Sequence, residues 1–276
     1  MNGATEFFAM QIALIAVVLV LHTYMGLHII RRTIIFCDLV LAQQAALGAL
    51  VGIAIGVRYA SGGSYLVSLV AVLVGSVLLA VIKPRDPVVP REAVIGIMFA
   101  LAMVASLLVG DKLSGGGAYV TKTLSGSMLW VSWRLVIITV IVYLVLIALH
   151  YRFRDRFVAL SETPERVSHQ RWWDFLFFAT QGIITVMIVP IAGVLLAYSF
   201  LMIPATIAAM FSRGWIRAVL LGWGVGLVSC LLGLFASYQW SLPYGPSLVL
   251  AMGVAFLVAV AVRAARARVW KVGEQP

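Results

Sequence analysis

Apolar residues run along this chain in blocks of roughly 20, the length a helix needs to cross the hydrocarbon of a bilayer. The blocks are separated by short clusters of charge, glycine and proline. Nine of them stand out, at about 9–30, 33–57, 65–82, 93–110, 131–150, 174–189, 193–211, 217–236 and 246–262. Uninterrupted apolar runs of this length read as membrane helices, because no other open structure satisfies its own backbone in lipid. The pattern predicts an all-α polytopic membrane bundle of about nine transmembrane helices. The last two spans of the middle group, 174–189 and 193–211, should be joined by a tight turn at Pro190–Gly193.

Composition removes the alternatives. The chain has 276 residues, 63% hydrophobic and 11% charged, and a mean hydropathy of +1.08. Nine spans use up most of that length, so residues 1–276 read as a single transmembrane domain. The net charge of +10 would suggest nucleic acid in a soluble protein, but basic residues in a membrane protein mark the cytoplasmic face. Placing the N-terminus outside and the C-terminus in the cytoplasm puts 16 of the 20 basic residues inside, leaving Arg58, Lys112, Lys122 and Arg134 outside. No nucleic-acid partner is called for. The basic tail, 263–276, is then cytoplasmic and suited to membrane lipid. Residues 1–6 carry no basic cluster ahead of the first apolar run, so the first span reads as retained. Cys37 and Cys230 fall in separate apolar runs and read as buried thiols.

One stretch, His28 to Gly48, sets polar groups inside an apolar run. It places Asp38, Gln43 and Gln44 in the second span, with Asp38 seven residues past Arg31, about 10 Å deeper at helical rise. A charge within a spanning helix costs roughly 2.5–3.5 kcal/mol on insertion scales, and usually faces a cavity, a partner or an ion. Asp38 therefore reads either as a point on a cation's path, with Gln43 or Gln44 as a weaker second, or as half of a buried ion pair with Arg31, Arg32 or another basic residue near the cytoplasmic edge. It is the one acid that the spans place deep in the membrane. His28 belongs with these candidates, although a hydrogen-bonded structural role also accounts for it. Gly48, Gly52 and Gly56 follow on the same span as a small-residue ladder, which predicts close helix approach. The longest charged inner loop, 152–172, holds Glu162, Glu165 and Arg166. Ser161 or Thr163 could cap a short helix there, with Pro164 in its first turn.

The chain has no Gly-x-x-x-x-Gly-Lys-Ser/Thr loop, no His-Glu-x-x-His and no pair of deep carboxylates, so neither ATP hydrolysis nor membrane-enzyme chemistry is expected of it. Three blocks carry a resemblance: Arg31 to Gly48, Gly193 to Ala209 and Leu232 to Ser247. Together, in this order and spacing, they resemble the membrane permease of zinc/manganese/iron ABC importers. The resemblance implies a permease subunit that moves a divalent metal cation across the bacterial inner membrane. It implies a homodimer, separate cytoplasmic ATPase subunits that bind the ATP, and a periplasmic or extracellular metal-binding protein. By position and charge, 152–172 would be the loop that couples to the ATPase, through Glu162, Glu165 and Arg166, and the polar residues of the second span would make Asp38 and Gln43 the metal-facing pair. The family's usual aspartate and histidine fall on Leu39 and Gln43 here, so the carboxylate is displaced by one residue. A carboxylate with an amide suits oxygen-preferring cations better than zinc. The alternative is a gradient-driven transporter in which Asp38 carries a proton and no ATPase takes part.

Overall fold

The computed structural model describes residues 3–82, 89–125 and 131–273. Every regular element among them is helical: α1 Gly3–Arg31, α2 Cys37–Ala54, α3 Gly62–Val81, α4 Arg91–Asp111, α5 Gly116–Ser125, α6 Trp133–Arg152, α7 Arg154–Glu162, a 3-10 turn Pro164–Arg166, α8 Gln170–Phe211, α9 Trp215–Gln239 and α10 Tyr244–Gly273. Eight of them are long and apolar enough to cross a membrane. The difference from the nine runs lies in α8. Its 42 residues contain both 174–189 and 193–211, and they continue as helix through Pro190 to a single non-helical residue, Gly193, at φ 77 and ψ 166. At 1.5 Å per residue the two helical segments on either side of Gly193 together supply about 60 Å of helix, roughly two hydrocarbon thicknesses. The expected four-residue turn is therefore one residue, at a dihedral that only glycine adopts without strain.

Three other boundaries move. Arg32 to Phe36 form a turn, with Thr33 at φ 50, so α2 begins at Cys37 and Asp38 lies in its first turn. The carboxylate is thus near a helix end, instead of more than a turn inside a span that starts at 33. In the inner loop, the helix precedes the expected site: α7 occupies 154–162, Pro164 opens only a 3-10 turn, and Thr163 makes no side-chain cap. The tail after 262 continues α10 as far as Gly273. Lys83 and Arg85, counted among the inner basic residues, lie outside the described residues.

By their contacts the helices fall into two compact units, 1–27 with 199–276 and 28–198. In the first, α9 packs on α10, and the Trp223 indole on α9 donates to the Ala16 carbonyl of α1 at 2.8 Å. In the second, α2 is the central element, with α3 and α4 against it and 12 of its 18 residues buried. That burial explains why it tolerates polar residues: its surroundings are protein. Gly48 lets α3 approach so closely that a Cβ there would sit 2.6 Å from Ser68 Cα. Beside that crossing, Ser68 Oγ donates to the Ala45 carbonyl at 2.9 Å. The ladder shortens accordingly, because Gly52 has only ordinary contacts and Gly56 lies beyond the helix in open space.

Gly48→Ala should therefore lower the thermal midpoint of the detergent-solubilised protein, since pushing apart a packed crossing costs about 1–3 kcal/mol. Gly96→Ala in α4, where nothing lies within 4 Å, should raise it slightly through helix propensity, by up to about 1 kcal/mol.

Candidate functional site

Asp38 is 2% exposed, and its partners come from α8. Gln181 Nε2 donates to Asp38 Oδ1 at 2.6 Å, and Thr185 Oγ1 approaches the same oxygen at 3.1 Å. Gln181 and Thr185 are four residues apart, hence on one helical face, and that face meets the first turn of α2. The carboxylate also lies at the positive end of the α2 dipole. Two donors and a helix N-terminus are what a buried carboxylate needs in place of water. Thr185 Oγ1 lies 2.9 Å from the Gln181 carbonyl as well, so its single proton has two acceptors to serve. The Gln181 Oε1 atom is buried without a hydrogen-bond partner. The site thus gathers carboxylate, hydroxyl and amide oxygens in one buried place.

The ion pairs weighed for Asp38 are made by other acids. Arg32 pairs with Asp174 at the start of α8, with side chains only 5% and 0% exposed. The Arg32 guanidinium lies 4.8 Å from the centroid of Phe177 and 5.5 Å from that of Phe178. Arg91 approaches Phe178 at 5.6 Å and donates to the Leu79 carbonyl at 3.1 Å. Arg31 reaches Glu162 at 2.6 Å, a half-exposed pair. His28 Nδ1 lies 2.7 Å from Ser161 Oγ of α7. The last turn of α1 and the residue after it therefore grip α7 and α8 through three polar links.

The remaining candidates do not gather around Asp38. Gln43 is buried but lies about 140° around α2 from Asp38 at helical geometry. Gln44 packs over Gly75 of α3, its Cγ 3.0 Å from where a Cβ would stand. Glu165 and Arg166 point outward on the 3-10 turn. Among the described residues no group of three or more His, Cys, Asp or Glu side chains is placed to hold a metal ion. Cys37 and Cys230 are free and buried.

Four participants were missed by sequence reasoning: Asp174, Arg91, Gln181 and Thr185. Asp174 is fully buried, so Asp38 is not the one acid enclosed by protein. Gln181 with a threonine four residues on was a readable signal, of the same kind that singled out Gln43. Asp174 and Arg91 stood at the ends of apolar runs, where a charge looks solvated.

Removing one member of the Arg32–Asp174 pair strands a buried charge, which costs about 3–5 kcal/mol. Arg32→Met and Asp174→Leu should each lower the unfolding midpoint strongly. The double variant should recover most of the loss, and equal midpoints for all three proteins would contradict the pairing.

Comparison with known proteins gives this geometry a context. The family model described as the ABC 3 transport family matches residues 6–263. An uncharacterised membrane protein of Synechocystis sp. is 26% identical over 272 residues, 95% of this chain and 94% of its own. A "probable metal transport system membrane protein" of Chlamydia muridarum is 27% identical over 191 residues, 68% of this chain and 63% of its own length. The manganese transport system membrane protein MntC of Listeria innocua is 24% identical over 176 residues, 62% of either chain. Among solved structures, PsaBC from Streptococcus pneumoniae in complex with Fab includes a chain that superposes with a TM-score of 0.73 at 20% identity, covering 93% of this chain and 95% of that one; at that identity the likeness concerns the fold. The resemblance read from the three sequence blocks is borne out by a match that runs almost end to end, and this multi-pass membrane protein belongs to the ABC 3 transport family.

Proposed function

We propose that the chain is the membrane-spanning permease of an ABC importer for a divalent metal cation, and that Asp38 is the negative charge the ion meets on its way through. The observation that carries the transport reading is the family match over residues 6–263. Relatives named for metal transport, in Chlamydia muridarum and Listeria innocua, support metal as the cargo. Membership in an ABC family favours this reading over the gradient-driven one.

The orientation follows from charge. With the N-terminus outside, the end that carries Arg31, Arg32, Arg91 and the 152–172 loop faces the cytoplasm of the bacterial inner membrane. Separate ATPase subunits dock there, and Glu165 and Arg166 are free to meet them, whereas Glu162 is engaged by Arg31. The sequence has no phosphate-binding loop, so the ATP belongs to those partners. A second permease copy and an external metal-binding protein complete the importer.

At the site, the ion would displace the donors now held by the Asp38 carboxylate. Rotation of the Gln181 amide would present Oε1 in place of Nε2, and Thr185 would turn its lone pairs inward. A carboxylate with neutral oxygens suits manganese(II) better than zinc(II). Because the Asp38 carboxylate is already hydrogen-bonded by Gln181 and Thr185, binding has to compete with internal hydrogen bonds. Such a site releases its ion readily. Gln43, Gln44 and His28 line other parts of the route in this reading.

The test is metal uptake into vesicles holding the permease with its ATPase and binding protein. Asp38→Asn should abolish manganese uptake while the complex still assembles and hydrolyses ATP. Thr185→Val should weaken uptake by roughly tenfold, as expected from the loss of a ligand worth about 1.4 kcal/mol. Unchanged uptake by Asp38→Asn would refute the role given to this carboxylate.

A further inference from the structure

At the end of unit 28–198 opposite the Arg32–Asp174 cluster lies a recess of about 320 Å³. Tyr59, from the link between α2 and α3, forms one side, Lys122 of α5 another, and Ser132, Arg134, Leu135 and Ile138 at the start of α6 a third. Two cations enter the lining and no carboxylate does, among the described residues. Lys122 Nζ sits 5.1 Å from the Tyr59 ring centroid, which fixes the ammonium at the wall. The Tyr59 hydroxyl is buried and has no hydrogen-bond partner. Burial pushes its pKa up to about 12, with Tyr65 adding to the effect, so the phenol stays protonated and keeps a proton to donate. Ser132 Oγ accepts from the Leu135 backbone N–H at 3.4 Å, and its own proton is also available.

The apolar part of the recess says what kind of anion fits. Ile138 stands one helical turn beyond Arg134, on the same face of α6. It is 41% exposed and continues into Ile137, Ile141 and Val145, at 55%, 56% and 61%. Isoleucine and valine exposed along a membrane-spanning helix are dressed for acyl chains. A cationic cup at a helix start with an apolar strip running away from it matches a ligand with a phosphate at one end and hydrocarbon at the other. A carboxylate on a docking protein would use the cup and leave the strip bare.

We propose that this recess binds the headgroup phosphate of an anionic phospholipid, held by Lys122 and Arg134 with Tyr59 and Ser132 as hydrogen-bond donors, while an acyl chain lies along Ile138 and the α6 strip. The site is separate from Asp38 and stands whether or not the metal cargo is correct.

Native mass spectrometry of the full-length protein in detergent, titrated with phosphatidylglycerol or phosphatidylcholine, tests it. Phosphatidylglycerol should be retained in preference to phosphatidylcholine. Arg134→Gln, at an exposed position, should weaken retention by about fivefold, the effect of one basic residue near a headgroup. Lys122→Gln combined with Arg134→Gln should weaken it by about 25-fold at an unchanged thermal midpoint, and Tyr59→Phe should weaken it less. Retention that ignores the double substitution overturns the proposal. Displacement of the lipid by about millimolar inorganic phosphate would assign the cup to a free anion and overturn the lipid reading. So would a double variant that keeps phosphatidylglycerol but loses stimulation by the external binding protein, which would make the cup a protein-docking point.

Discussion

A charge that leaves water must be met by something, and in unit 28–198 that requirement organises the helices. Four charged side chains, Arg32, Asp174, Asp38 and Arg91, stand at the ends of α1, α8, α2 and α4. Each is answered from a neighbouring element: Arg32 by Asp174, Asp38 by Gln181 and Thr185, Arg91 by the Leu79 carbonyl. Apolar packing in lipid does not choose between neighbours, because hydrocarbon is as good a partner as leucine. Polar bonds and close backbone approach do choose. α2 is central because it has both: Gly48 brings α3 in, and Asp38 brings α8 in.

The two kinds of contact serve different ends of the same helix. Around Gly48 the crossing with α3 is tight, backed by the Ser68 bond to the Ala45 carbonyl. Around Asp38 the contact is polar and its protons have alternatives, since Thr185 can satisfy either the carboxylate or the Gln181 carbonyl. A rigid crossing beside an exchangeable hydrogen-bond set lets a site rearrange without the helices separating.

Much of this could be read in the chain before any coordinates. Span positions follow from hydropathy, which is local, and Asp38 stood out because a carboxylate in an apolar run is rare. The partner of Asp38 could not be read the same way. Gln181 and Thr185 lie more than 140 residues away, and their pairing depends on how α8 is turned about its axis, which no local pattern encodes. Asp174 was overlooked for a related reason: a residue at the edge of an apolar run looks solvated until a neighbouring guanidinium is known to cover it. The turn at Pro190–Gly193 was placed correctly but sized wrongly. Proline reads as a helix breaker, yet within a membrane helix the lost hydrogen bond can be tolerated, and here only Gly193 leaves the helical region.

The end of α1 and the residue after it offer His28, Arg31 and Arg32 in close succession, bound to Ser161, Glu162 and Asp174. A segment pinned at three points along its length has no slack. A displacement of α7 would therefore be carried to the α1–α2 elbow, which ends one residue before Asp38 at Cys37, so that the three bonds would work as a linkage between a short surface helix and a buried oxygen.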